Sequence, residues 1–170
     1  MLTLDYAVRT WVVTHRLAAL DSFFWLLSAV GRGGMVWLAV AAALAWARGR
    51  LHVFTLMLLA VLIASALADQ AIKPAVHRAR PFDVLGGEVI GGRPADPSFP
   101  SGHSANAFAG AATLSRVAPA GAAAWWTLAV AIAFSRVYLG VHFPLDVIAG
   151  ALVGLASAWI ARRLTRFPEL

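Results

Sequence analysis

Residues 51–72 (LHVFTLMLLAVLIASALADQAI) form a 22-residue apolar run in which Asp69 is the only charged residue. A run of that length fits a tilted helix across the ~30 Å hydrocarbon core of a bilayer. Four further runs follow the same logic. Residues 33–47 end at Arg48 and Arg50, which can snorkel to headgroups. Residues 104–118 end at a turn over Pro119, Ala120 and Gly121, and residues 122–139 carry Trp125 and Trp126 near their start. The run at 143–161 stops at Arg162 and Arg163. The chain therefore reads as all-α, a polytopic helix bundle with five crossings.

Residues 1–32 read as a separate amphipathic segment ahead of a transmembrane domain over 33–170. Apolar residues from Leu2 to Leu27 alternate with scattered charges, which suits one or two helices lying at the membrane interface. A sixth, tilted span is the alternative. Asp5, Arg9, His15 and Arg16 leave no apolar stretch for a cleavable signal peptide. Composition agrees with lipid as the solvent: 61% of residues are hydrophobic, 13% are charged, and mean hydropathy is +0.76. A water-soluble domain is nearer half apolar and a quarter charged. The net charge of +6 is spread over helix ends and short motifs, not gathered in a tract for nucleic acid. Cysteine is absent, which removes disulfides, thiolate metal sites and cysteine nucleophiles together.

The longest non-apolar stretch, residues 73–103, is a loop rich in proline and glycine. Three polar clusters surround it. The first runs from Lys73 to Arg80 and Pro81, the second is Pro100-Ser101-Gly102-His103, and the third is Ser135-Arg136 with His142 and Asp146. The order of the spans brings all three to one face of the membrane. Lys73, Arg80 and Arg136 are cations suited to phosphate oxygens. Ser101 and Gly102 open a helix, whose free N–H groups attract anions. His142 and Asp146, four apart, share a helix face, so the carboxylate can accept from one imidazole nitrogen while the other attacks phosphorus. His103 is placed to protonate a leaving oxygen.

These residues resemble the type 2 phosphatidic acid phosphatase family, which also includes bacterial non-specific acid phosphatases and vanadium haloperoxidases. Its pattern is KxxxxxxRP, PSGH and SRxxxxxHxxxD, and all eleven fixed positions occur here in order and spacing. The resemblance implies that Lys73, Arg80, Arg136, Ser101 and Gly102 hold phosphate. It further implies that His142 is the nucleophile, Asp146 its orienting partner and His103 the general acid. No metal and no cofactor is expected, and the eight acidic residues are scattered along the chain. The small size looks like that of bacterial undecaprenyl-pyrophosphate phosphatases. Phosphatidylglycerophosphate, phosphatidic acid and diacylglycerol pyrophosphate are rival substrates. A haloperoxidase and a non-catalytic lipid-phosphate binder are rival functions.

Basic residues at the inert face (Arg48, Arg50, Arg116, Arg162, Arg163, Arg166) point the site out of the cell, from the inner membrane. If the N-terminal segment lies at the active face, Arg9, Arg16 and Arg32 nearly even that count. The partners expected are membrane lipids and a lipid phosphate or pyrophosphate, not nucleic acid; the oligomeric state is open. His77, Arg78 and Arg93 share the active face and read first as solvated loop residues, with contact to substrate as the alternative, and Glu88 has no assigned role. Gly150 and Gly154 read as a close helix contact within the chain.

Overall fold

The computed structural model describes residues 2–165, in nine α-helices joined by short 3-10 and π segments. They are α1 (Leu2–Thr14), α2 (Ala18–Gly31), α3 (Met35–Arg48), α4 (Leu51–Ser65), α5 (Lys73–Val76), α6 (Pro81–Val84), α7 (Gly102–Val117), α8 (Ala122–Tyr138) and α9 (Pro144–Thr165). Arg166, counted in the charge argument, lies outside the described residues.

Among the described residues, four helical stretches are long and apolar enough to cross a membrane: Ala18–Arg48, Leu51–Val84, Pro119–Tyr138 and Pro144–Thr165. The first joins α2 and α3 through a bend at Arg32–Gly34, where Gly33 and Gly34 take positive φ. From α2 onward, the stretch read as interfacial up to residue 32 thus joins α3 in one bent helical stretch of spanning length. In the second stretch, α4 runs through a π-helical segment, Ala66–Ile72, into α5. Pro74 explains that widening. It cannot donate to the carbonyl one turn back, and its ring crowds that carbonyl, so looser turns precede it.

α7, with 16 residues, is shorter than any of these four stretches and more polar, and it is the most enclosed. It packs chiefly against α9 and α8, then α4. Ala105, Ala107, Ala109, Ala111 and Leu114 have no exposed surface. Small residues make that approach possible. A Cβ at Gly150 would strike the Ser101 carbonyl, one at Gly154 the Ala105 carbonyl, and one at Gly110 the Trp37 ring. The Gly150/Gly154 pair is therefore contact within the chain, between α9 and α7. The outer faces are the reverse of a soluble protein's, with Trp46, Leu51, Leu62, Leu152 and Trp159 all exposed.

α1 departs from the amphipathic reading. Its buried face carries Asp5, Arg9 and Val12, while Leu4, Val8 and Trp11 point outward. The charges face protein, not water. Arg9 donates to the carbonyls of Gly86 (3.2 Å) and Gly140 (3.4 Å). Arg16, just beyond α1, donates to the carbonyls of Tyr138 (2.6 Å) and Glu88 (3.1 Å). Hydropathy alone does not distinguish a charge facing solvent from one facing a carbonyl. The N-terminal helix therefore sits at the end of the bundle that holds residues 73–103.

Candidate active site

A cavity of about 260 Å³ opens at that end, and Lys73, Arg80, Gly102, His103, Arg136 and His142 all line it. Six of the eight sequence-predicted residues thus share one cavity. Lys73 arrives at the end of the long second helix, Gly102 and His103 at the first turn of α7, and Arg136 in the last turn of α8. Ser101 and Asp146 do not line it. Ser101 is fully buried, and its Oγ accepts from the Ser104 N–H at 3.4 Å as the N-cap of α7. Its own N–H donates to the Asp146 carbonyl at 2.9 Å, which ties α7 to α9. The cavity wall at the helix start is Gly102, where a Cβ would fall 2.8 Å from Asp69 Oδ1.

His142 and Asp146 meet, but not as two positions on one helix face. His142 lies in the bend before α9, which begins at Pro144. Asp146, in the first turn, reaches back and accepts the Phe143 N–H at 2.8 Å, the carboxylate half of a capping box. That bond turns Asp146 Oδ2 toward His142 Nδ1, at 3.5 Å. On the other side of the ring, Arg80 Nη1 donates to His142 Nε2 at 3.3 Å. These partners place the imidazole proton on Nδ1 and a lone pair on Nε2, at the cavity. Burial, aided by the charges of Arg80 and Arg136 and opposed by Asp146, lowers the His142 pKa to about 4, so the ring is neutral near pH 7.

Asp146 is itself held. Ser98 Oγ donates to Oδ2 at 2.5 Å, and Arg78 Nη1 to Oδ1 at 2.6 Å. Arg78 also bonds Asp5 Oδ2 at 2.5 Å and lies over the Phe143 ring, 4.3 Å from its centre. Asp5 in turn accepts the Leu145 N–H at 2.8 Å. Arg78 is therefore no solvated loop residue, and α1 reaches the catalytic region through Asp5.

The cations are not bare. Lys73 bonds both Asp69 (2.6 Å) and Asp96. Arg80 bonds Asp96 Oδ1 at 2.8 Å and the Asp96 carbonyl at 2.7 Å. Carboxylates scattered along the sequence thus converge on one lysine. Burial raises the Asp96 pKa, but the Lys73 hydrogen bond and the Arg80 and Lys73 charges outweigh it and hold the group at about 2. Arg136 donates to Ser28 Oγ, while its Nε and His103 Nε2 are buried without a partner. Unpaired buried donors and acceptors in a polar cavity are ready for a ligand.

The PAP2 superfamily model matches residues 54–168. The chain belongs to the PAP2 superfamily. Relatives agree over most of its length. An undecaprenyl-diphosphatase of Sulfolobus acidocaldarius is 35% identical over 86% of this chain and 70% of that protein. A lipid A 4'-phosphatase of Porphyromonas gingivalis is 32% identical over 84% of this chain and 64% of that protein. The crystal structure of Aquifex aeolicus LpxE superposes with a TM-score of 0.80 at 28% identity, covering 94% of this chain and 95% of that one. The chain is an integral membrane protein and a PAP2-type lipid phosphatase.

Within this PAP2 site, four residues escaped the sequence reading, Asp5, Asp69, Asp96 and Ser98, while Arg78 was placed at the active face without its carboxylate partners. Ser98 carries the weakest signal, a single serine two residues before Pro100. Asp69 carries the strongest, as the one charge inside the apolar run at 51–72 and one helical turn before Lys73.

Proposed function

We propose that this PAP2 phosphatase removes the terminal phosphate of a lipid diphosphate without a metal ion, through phosphohistidine on His142, with undecaprenyl pyrophosphate as its substrate. One observation carries the reading. His142 Nε2 faces the cavity while Nδ1 faces Asp146, and the unpartnered His103 Nε2 belongs to the same cavity. The terminal phosphate would sit among Lys73, Arg80, Arg136 and the Gly102 amide, its charge displacing Asp96 from the two cations. His142 Nε2 attacks phosphorus as the bond to the leaving oxygen breaks, and His103 gives that oxygen its proton. Water, deprotonated by His103, then attacks the phosphohistidine and releases phosphate, restoring both rings. Cations and helix-start amides stabilise the charge that builds on the phosphoryl oxygens.

The undecaprenyl assignment is supported by the Sulfolobus relative. An outward-facing site is supported by charge. Arg48, Arg50, Arg116, Arg162 and Arg163 lie at the opposite end. At the active end, Arg9, Arg16 and Arg78 are committed to carbonyls and carboxylates. With Lys73, Arg80 and Arg136 assigned to the phosphate, only Arg32 and Arg93 remain to count against Arg50, Arg116, Arg162 and Arg163, since Arg48 likewise donates to the Val117 carbonyl at 2.8 Å.

The test is rapid quench in detergent with chelator present, using prenyl diphosphate labelled in its terminal phosphate. A base-stable, acid-labile phosphoenzyme should form in the wild type and in His103→Ala, and not in His142→Ala. His103→Ala should slow a prenyl monophosphate more than the diphosphate, whose leaving group needs a proton less. A phosphoenzyme that survives His142→Ala, or turnover lost on chelation and restored by Mg²⁺, overturns the reading.

A further inference from the structure

A second cleft, of about 390 Å³, adjoins the first, and His103, Arg136 and Pro94 line both. Those three residues are the wall between them. The rest of the second cleft includes Trp25 and Arg32 from the α2 region and Arg93 from the 73–103 loop. Its charge differs from that of the first cavity. There, Asp69 and Asp96 neutralise Lys73 and Arg80. No carboxylate lines the second cleft, although it holds Arg32, Arg93 and Arg136. The Arg32 guanidinium has no hydrogen bond or ion pair among the described residues, and Arg93 has only the Phe82 ring, 5.3 Å from its carbon. Three guanidiniums without a counter-charge in one cleft form a strong anion attractor.

The two walls are fixed against each other. Gly91 has φ +85°, and a Cβ there would fall 2.5 Å from Trp25 Cδ1. The backbone two residues before Arg93 is thus pressed onto α2, the helix that delivers Arg32.

Displacement at phosphorus sends the leaving oxygen away from His142 and toward His103. His103 lines the second cleft as well as the first, so that cleft is placed to receive what the oxygen carries. A neutral alcohol would leave the three guanidiniums unpaired, whereas a second phosphate would pair them. We propose that the cleft is a second phosphate seat. Arg32 and Arg93, with Arg136 shared between the two seats, hold the inner phosphate of a diphosphate, so the enzyme prefers diphosphates to monophosphates. This rests on His142 being the nucleophile in the first cavity.

The test uses the full chain in detergent with farnesyl diphosphate and farnesyl monophosphate. The readout is the ratio of their kcat/KM values. The wild type should favour the diphosphate, and the ratio should fall by about tenfold or more in Arg32→Gln/Arg93→Gln, as charge-assisted bonds are lost. Arg32→Lys/Arg93→Lys, which keeps the charge, should retain part of it. Methylenediphosphonate should protect the wild type from thermal unfolding more than methylphosphonate does, and the difference should vanish in the double glutamine variant. A ratio that does not move, or equal loss on both substrates, overturns the seat. Equal loss on phosphatidylglycerophosphate, whose second anion lies a glycerol away, overturns the diphosphate assignment. A phosphoenzyme on His142 with an unmoved ratio removes the seat alone. A phosphoenzyme that survives His142→Ala removes the parent reading and the seat with it.

Discussion

Arg78 grips Asp146 by Oδ1, at 2.6 Å, and leaves Oδ2 to face His142. The carboxylate that faces the proposed nucleophile is thereby oriented itself, from a residue 68 positions earlier in the chain. Asp5 completes the arrangement by holding the second fork of the same guanidinium. The catalytic region is a chain of fixed polar contacts running from α1 to the mouth of the cavity, with no slack at Asp146.

Arg78 and Asp5 should therefore act as positioning residues. Arg78→Met and Asp5→Asn should each lower kcat by about tenfold to a hundredfold with KM within about threefold, because neither touches the phosphate. Arg78→Lys should recover part of the loss. Steady-state kinetics on a short-chain lipid phosphate decides it; KM rising with kcat unchanged would contradict the role.

The pH behaviour follows from His142. Its pKa is lowered to about 4, so the neutral, nucleophilic ring persists on acidification well below the ordinary range near 6.5. Protonation, and loss of phosphoenzyme formation, should come only as pH falls through about 4. Histidine-selective ¹⁵N NMR of the detergent-solubilised protein reads the titration directly. A His142 midpoint at or above 6 would contradict the burial argument.

Asp96 occupies the two cations that phosphate needs. Removing it should tighten oxyanion binding, so Asp96→Ala should lower the vanadate inhibition constant by about 1.5- to fivefold, the range for a half-exposed ion pair. Its carboxyl, held at about 2, stays ionised throughout the working range, so the competition should not relax with mild acid. Weaker vanadate inhibition in the variant would show that Asp96 instead holds Lys73 and Arg80 in place.

The helices were legible because lipid leaves little freedom. The expected runs at 104–118, 122–139 and 143–161 became Gly102–Val117, Ala122–Tyr138 and Pro144–Thr165. The cavity was legible because its cations and histidines sit at fixed distances from helix ends. What lay hidden were pairings across the chain. Nothing local to Asp5 distinguishes an acid that meets Arg78 from one that meets water, and nothing local to Asp96 announces Lys73. Arg78 looked like a loop charge for the same reason. His142 was placed on a helix because its spacing to Asp146 is helical, yet the capping bond to Phe143 achieves the same meeting from outside the helix.

Orientation can be read on this cysteine-free chain. Glu88 lies exposed on the active-end loop and Ala120 on the opposite turn, so neither substitution disturbs a packed position. In intact spheroplasts a membrane-impermeant maleimide should label Glu88→Cys and spare Ala120→Cys. The reverse pattern would place the site inside and remove the undecaprenyl assignment.

The contacts of α1 also bear on when the enzyme becomes active. Asp5 is bonded to the N–H of Leu145, and Arg9 to the carbonyl of Gly140, separations of 140 and 131 residues. A chain still emerging from the ribosome carries Lys73, Arg80 and His103 into the bilayer before it has His142, and before α1 has Gly140 and Leu145 to complete its contacts. α1 is fully fastened only when the start of α9 arrives. Until then the growing protein lacks the residue proposed to attack phosphorus, and assembly itself is the safety catch.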